Sequence, residues 1–245
     1  MKECARFSKL IACVAVVGIV SLTSAQAAAQ SGKAIVRSVS GEAQYTDGGS
    51  WMPLTTGMEL MPGAAVRTAN DSRVTLFLDQ NGPLVLLTEN TTLGIDKLTF
   101  EPTGVDTIIE TQLDLKSGRI VGIAKKLSAT SKYEVKTPSG VAGIRGTEYS
   151  ISATGEVYVL SGSVVVVSVR PDGSVITQVV GTGEMFSPAS GQVQPTPPAT
   201  QSELLQEVQS MTTGDAPVIT VDGEPVIFVS PTVGLQGGNN NGTPE

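Results

Sequence analysis

Residues 133–169 read YEVKTPSGVAGIRGTEYSISATGEVYVLSGSVVVVSV, short runs of alternating apolar residues separated by glycine-bearing breaks. Tyr133 and Val135 alternate with Glu134 and Lys136 as in a half-buried strand, and Thr137-Pro138-Ser139-Gly140 ends that strand with turn chemistry. Gly143 and Gly146 bracket Ile144 and Arg145. Glycine opens backbone angles closed to other residues, so the chain can bend tightly or approach another backbone here. Tyr149, Ile151, Val157, Val159, Val164 and Val166 then resume at spacing two. Val164 to Val167 is uninterrupted apolar, which predicts a strand covered on both faces.

The same alternation extends in both directions. Strands are predicted at 34–39, 42–46, 64–69, 73–79, 83–88, 92–98, 107–115, 119–123, 132–137, 148–152, 156–160, 163–169 and 174–180. Breaks fall at Asp47-Gly48-Gly49, Asn81-Gly82, Ser117-Gly118, Ser139-Gly140, Thr154-Gly155, Ser161-Gly162 and Asp172-Gly173. Turn signals about every eight to twelve residues define an all-β fold: a sandwich, a barrel or an irregular β-solenoid of many short strands. A weak internal echo sets Val66-Arg67-Thr68 with Ser72 to Leu76 beside Val135-Lys136-Thr137 with Gly140 to Ile144. One echo hints at stacked units without making a repeat array.

Thr137-Pro138, the small residues after it, Ile144-Arg145-Gly146-Thr147, Tyr149 and the Val-x-Val pairs around Gly162 resemble the FecR domain, a periplasmic β module named after the iron-citrate regulator. The resemblance continues upstream through Gly41, Trp51, Leu54, Gly57, Leu60, Gly63, Val66, Thr68 and the strand-like Val74 to Leu78, and covers roughly residues 35 to 190. It implies one FecR-type β domain over 33–190. It also implies a set of motif residues with structural roles: Trp51, Gly57, Thr68, Thr137, Pro138, Gly143, Arg145, Gly146, Thr147 and Gly162. Trp51 is expected to pack in the core, and Arg145 to bond backbone carbonyls at the bend.

The N-terminus reads as an export signal at 1–29. Lys2, Arg6 and Lys9 form a basic start, Leu10 to Leu22 an apolar stretch, and Ser24 to Ala29 offers small residues for cleavage. The apolar run is short of the roughly 20 residues a membrane span needs. Leu10-Ile11-Ala12-Cys13 matches a lipoprotein box only superficially, because Cys13 lies inside the apolar stretch. Cleavage near Ala29 predicts a mature chain beginning near Gln30, in the periplasm or outside the cell, with no membrane span.

That cleavage removes Cys4 and Cys13, and the chain has no His. A mature chain without either residue excludes a disulfide framework, thiolate or imidazole metal sites, and Cys/His or Ser/His catalytic dyads. Losing Lys2, Arg6, Lys9 and Glu3 leaves 13 basic and 22 acidic residues, a net charge of −9 against −7 for the whole chain. Such a balance, with only ten aromatic residues in the whole chain, disfavours nucleic acid, whose phosphates call for a basic stripe.

Candidate catalytic and metal sites reduce to plainer readings. Asp79-Gln80-Asn81-Gly82 lacks the later carboxylates of a calcium loop and reads as a β-turn. Asp106, Glu110 and Asp114 could pair as glycosidase acids, but their alternation in DTIIETQLDLKSG places them on solvated strand faces. Lys125-Lys126 reads as an exposed loop. No cofactor is expected.

Beyond residue 190 the composition changes. Residues 191–201, with Pro195, Pro197 and Pro198, predict an extended linker. Within 202–230, SELLQEVQSM at 202–211 predicts a short helix capped by Ser202, and PVITVDGEPVIFV at 217–229 a hairpin turning at Asp222-Gly223. The Gly- and Asn-rich residues 231–245 predict a disordered tail.

The functional expectation is a non-enzymatic, exported FecR-domain protein that binds or scaffolds an envelope protein or polymer, partly through residues 200–230. The alternatives are an accessory in FecR-type signalling linked to TonB-dependent transport, which the resemblance implies, and a carbohydrate-active β enzyme, which would need convergent carboxylates.

Overall fold

A computed structural model describes residues 29–104, 106–170 and 172–213, together with the backbone of 219–221 and 224–226. In chain order the first strands are β1 (Gln30–Ser31), β2 (Ala34–Ser40), β3 (Ala43–Thr46), β4 (Met52–Pro53), β5 (Glu59–Leu60), β6 (Ala65–Thr68) and β7 (Arg73–Phe77). A single 3-10 turn, Asp79–Asn81, leads to β8 (Leu84–Leu87), β9 (Thr92–Pro102), β10 (Thr107–Ser117), β11 (Arg119–Ile123), β12 (Lys132–Thr137) and β13 (Gly140–Ile144). Then come β14 (Glu148–Ser152), β15 (Val157–Ser161), β16 (Ser163–Val169), β17 (Val175–Gly181), β18 (Glu184–Ser187) and β19 (Gln192–Pro195). Helix α1 (Pro198–Thr213) follows, and then the hairpin of β20 (Ile219–Val221) and β21 (Glu224–Val226). The expected signal segment up to residue 28 and the expected tail at 231–245 lie outside the described residues.

The protein is mostly β, as the alternation predicts. One sheet has the order β17-β16-β13-β12-β10-β9-β6-β3-β4, with β1 added against β9; the second has the order β19-β18-β15-β14-β11-β8-β7-β2-β5. From β9 onward the chain alternates between them, laying β9–β10 in the first, β11 in the second, β12–β13 in the first, β14–β15 in the second, and so on to β19. Both sheets therefore grow in one direction. The pairing of β10 with β12 is parallel because β11 carries the chain through the other sheet in between. Sandwich and solenoid readings thus meet: two stacked layers, wound progressively.

The inward faces share one core. Val66, Leu93, Leu113, Val135, Ala142 and Val164 of the first sheet pack in the same cluster as Val36, Leu76, Leu87, Ile120, Ile151 and Val159 of the second. The run Val164–Val167 departs from expectation. Val164 and Val166 enter the core, whereas Val165 and Val167 are half-buried on the outer face of the first sheet. β-Branched residues suit a pleated surface whether or not a second layer covers it, so the unbroken apolar run did not mean two-sided burial. β8 is a strand covered on both faces: Val85 and Leu87 face the core, while Leu84 and Leu86 meet Leu204, Val208 and Met211 of α1.

Residues 191–201 are not a linker. Gln192–Pro195 pairs with β18, Thr196 N–H donates to the Gly183 carbonyl, and α1 begins at Pro198, four residues before the expected cap. Each proline sits where its missing N–H is tolerated: Pro195 at the end of an edge strand, Pro197 just before the helix and Pro198 as its first residue. Ser202 lies inside the helix and donates to the Pro198 carbonyl. The helix is pinned by a two-pronged ion pair, both Arg119 guanidinium nitrogens lying 2.7 Å from the Glu207 carboxylate oxygens. That carboxylate holds the Arg119 pKa above its ordinary value. The pairing of Ile219 with Val226 brackets Asp222-Gly223, where the sequence predicts the turn.

Tyr133 of the first sheet and Tyr149 of the second are fully enclosed, rings edge to face at 6.3 Å and hydroxyls 3.0 Å apart. Burial pushes Tyr133 up to about 12 and Tyr149 up as well. The neutral phenols are the form that fits, so this stabilisation is complete below the unfolded value of about 10 and is lost as pH rises through about 12. Unfolding free energy is expected to fall by roughly 3 kcal/mol over that window. Urea titrations at pH 9 and pH 11.5 with absorbance at 295 nm check this; more than two of the four tyrosines ionising well before unfolding would contradict it.

Candidate binding site

Three loops meet at one end of the sandwich: the 3-10 turn Asp79–Asn81, the β9–β10 connection, and the β11–β12 connection. They line a groove of about 530 Å³. Its floor includes Phe77, Asn81 and Ile109, with Asp79 and Asp106 on one rim and Lys125, Lys126, Ser128 and Ser131 on the other. The Ser131 hydroxyl accepts the Ile109 N–H at 3.0 Å and lies 2.7 Å from the Ser128 hydroxyl, so the serine wall is tied to β10.

Asn81 locks this end. It is fully buried, and its Nδ2 lies 2.9 Å from the Thr99 carbonyl, 3.0 Å from the Glu110 carbonyl and 3.1 Å from the Thr111 hydroxyl. A turn of the second sheet thereby holds β9 and β10 of the first. Its Oδ1 has no hydrogen-bond partner and faces Gly32, where a Cβ would come within 2.4 Å of it. The Asp79–Gly82 stretch is a cross-sheet clamp rather than the simple β-turn the sequence suggests.

The opposite rim is set by the Gly-Ile-Arg-Gly-Thr bend. Gly146 has φ 64°, and a Cβ there would stand 2.7 Å from Lys126 Cα and 3.3 Å from the Lys125 carbonyl oxygen. Ala124 N–H donates to the Thr147 carbonyl, and the Thr147 hydroxyl donates to the Ser163 carbonyl. Gly162, with φ 83°, brings the β15–β16 turn onto the Gly146 carbonyl. Gly146, Thr147 and Gly162 thus form one node, and the Lys125-Lys126 segment rests on it.

The other motif residues are dispersed. The Thr68 hydroxyl donates to the Thr88 carbonyl at 2.6 Å and accepts the Thr91 N–H. The Thr137 hydroxyl lies 3.1 Å from that of Ser139, and Pro138 occupies the turn before β13. Gly57, φ 85°, donates its N–H to the Val36 carbonyl. Gly143 is an ordinary position of β13 opposite Glu134 and Val165, not part of a bend.

Two expectations are overturned. Trp51 is not in the core: half-exposed, it carries the Arg67 guanidinium 4.3 Å from its ring centre, with Arg67 also held by the Gln44 side-chain oxygen. The β3–β4 hairpin lies at the end of its sheet, and the tryptophan finds a cation there instead of an apolar layer. Arg145 bonds no carbonyl with its guanidinium among the described residues. Its backbone N–H donates to the Ser163 carbonyl, and its side chain is exposed.

The acids of β10 do not converge. Glu110 pairs with Lys97 at 2.6 Å, and Asp114 lies 3.9 Å from Lys116. Strand positions four apart are about 13 Å apart, beyond the roughly 5–9.5 Å separations of glycosidase acid pairs. Among the described residues no three Asp, Glu, His or Cys side chains gather to hold a metal ion. Among them also, no helix is long and apolar enough to cross a membrane.

Residues 64–165 match the model of the family described as FecR protein, and this segment is a FecR domain. It runs from the start of β6 into β16 and contains both the Asn81 clamp and the Gly146 node. No curated protein matches the chain. Among solved structures, the chain is similar to a candidate anti-sigma factor from Parabacteroides distasonis, at 15% identity and a TM-score of 0.40. The likeness covers 54% of this chain and 58% of that one, less than two thirds of its length.

Proposed function

We propose that this chain is an exported, non-catalytic recognition module of the bacterial cell envelope that holds an anionic segment of an envelope protein or polymer in the end groove. The observation that carries the reading is the use made of the FecR motif. Its Gly146 node props up a rim on which Lys125 and Lys126 are exposed and outside the ion pairs, and Arg145, the chain neighbour of Gly146, is exposed and unpaired as well. Lys33, Lys97, Lys132 and Lys136 each have a carboxylate partner within 3.0 Å. Unpaired cations beside a concave surface, in a chain of net charge −7, favour an acidic ligand and a salt-sensitive association. Export rests on the basic and apolar pattern of residues 2–29.

Residues 200–213 also have a structural part. They cover the second sheet, so ending the chain at Gly191 would expose Leu84, Leu86, Val121 and Leu160. The test is therefore made on the full chain. With Lys125, Lys126 and Arg145 all changed to Glu, in-cell cross-linking should recover partners at least ten-fold less, with an unchanged melting temperature and an intact mass starting near Gln30. Equal recovery would remove the groove from the reading, and turnover of a glycan would replace binding with catalysis. A second reading, an accessory in FecR-type signalling, has the domain match in its favour. Recovery of a transporter's signalling domain as the cross-linked partner would select it.

A further inference from the structure

The end strands of the two large sheets are not alike. β4 has two residues and ends in Pro53; β5 has two, one of them Glu59 paired with Lys33; β19 ends in Pro195. Short length, charge and proline are the usual means by which an edge avoids pairing with another chain. β17 has none of them. It is seven residues long, VITQVVG, without charge or proline, and among the described residues its one strand partner is β16.

Its outward face is apolar as well. Six large apolar side chains are prominently exposed among the described residues, and three belong to this ribbon: Val175 at 63%, Val179 at 61% and Val169 at 53%. Val165 pairs with Val179, and Val169 with Val175, so they join the half-buried Val167 in one stripe. Met52, Met61 and Leu205 lie on separate elements. A contiguous apolar stripe ending at an open edge marks an interaction surface, where single exposed residues do not.

We infer that β17 pairs antiparallel with β17 of a second copy of this chain, about a two-fold axis at Thr177. The strand is complementary to itself in that register. Val175 of each copy falls opposite Val179 of the other, the two Thr177 meet, and Ile176 falls opposite Gln178. An axis at Gln178 would instead set Val175 against Gly181 and leave Val179 beside Thr177. The absence of charge matters in a chain of net charge −7, because this edge lets two copies approach without opposing like charges. The apolar stripe then runs unbroken across the axis, and isologous pairing closes at two copies. A seven-residue strand is about 24 Å long. That contact falls below the roughly 800 Å² per partner of a standard interface, so the dimer depends on concentration.

The experiment is sedimentation equilibrium of the full exported chain across micromolar to millimolar concentration, with two charge variants and one cysteine variant. Wild type should show a monomer–dimer equilibrium. Val175→Lys with Val179→Lys places lysines opposite each other across the axis and should weaken dimerisation at least ten-fold at an unchanged melting temperature. Val175→Lys with Val179→Glu places Lys opposite Glu and should restore it. Thr177→Cys should oxidise to a dimer whose peptide map joins residue 177 to residue 177. A wild type monomeric at every concentration overturns the inference, as does a Lys/Lys variant that dimerises as well as the wild type. Failure of the Lys/Glu variant to dimerise, or of Thr177→Cys to form a disulfide-linked dimer, overturns the register. None of these residues lines the groove, so the outcome is independent of the function proposed above.

Discussion

Gly146→Val is expected to lower the unfolding free energy by about 4 kcal/mol, while Gly143→Val, three residues earlier in the same motif, changes it by less than about 1 kcal/mol. At Gly146 two costs combine. The backbone is left-handed, φ 64°, where a β-branched residue is strained by about 1–3 kcal/mol. The new Cβ would also stand 2.7 Å from Lys126 Cα and 3.1 Å from its nitrogen. Those atoms are backbone, and the neighbouring Ala124 N–H is bonded to the Thr147 carbonyl at 2.9 Å, so retreat would break a cross-strand link. Gly143 has neither problem: its nearest outside atom is the Val165 carbonyl oxygen at 3.7 Å, and a valine would join the outer stripe of the first sheet. Urea unfolding of both variants measures the contrast. Equal stability of the two would mean that the bend adapts freely, and the groove rim would lose its support.

That contrast also shows where sequence reasoning reached and where it stopped. The long strands were legible because one-sided burial leaves a period of two in the residues themselves, as in Ile109, Thr111, Leu113 and Leu115 of β10. The edge strands Met52–Pro53 and Glu59–Leu60 are too short to carry a period. Gln192–Pro195 carries the proline that argues for a linker, because an edge strand tolerates what a central one does not. Gly143 and Gly146 look alike in sequence, and only their positions relative to Val165 and Lys126 tell a strand residue from a left-handed bend. The groove had no local signature at all. Its walls come from loops some 25 residues apart, and their convergence follows from the alternation of hairpins between two sheets, which periodicity does not encode. Arg145 was recognised through its motif, but its exposed side chain is a matter of tertiary placement.

Asn81 is the residue the sequence least announced, and Asn81→Asp is expected to cost about 4 kcal/mol at pH 7. The shape is kept and only the donor is lost. Three oxygens surround Nδ2, those of Thr99, Glu110 and Thr111, and its two hydrogens serve at most two at once. An ionised carboxylate would set acceptor against acceptor in a site with no exposure and no cation in hydrogen-bond contact. The carboxyl would be neutral in the fold at pH values where it is charged in the unfolded chain, so its folded pKa lies above its unfolded one. The deficit is therefore largest at neutral pH and shrinks as pH falls, when a protonated oxygen can again donate one bond. Asn81→Leu should lose about 2–3 kcal/mol with no such pH dependence, since it strands the two carbonyls without adding charge. Urea midpoints for both variants at pH 7 and pH 4.5 separate the cases. Parallel curves would mean that the side chain reaches solvent and clamps nothing. If the clamp is real, Asn81→Asp should also open the groove floor, because β9 and β10 are held to the turn at Thr99 and Glu110, and the loop bearing Asp106 springs from the ends of those two strands.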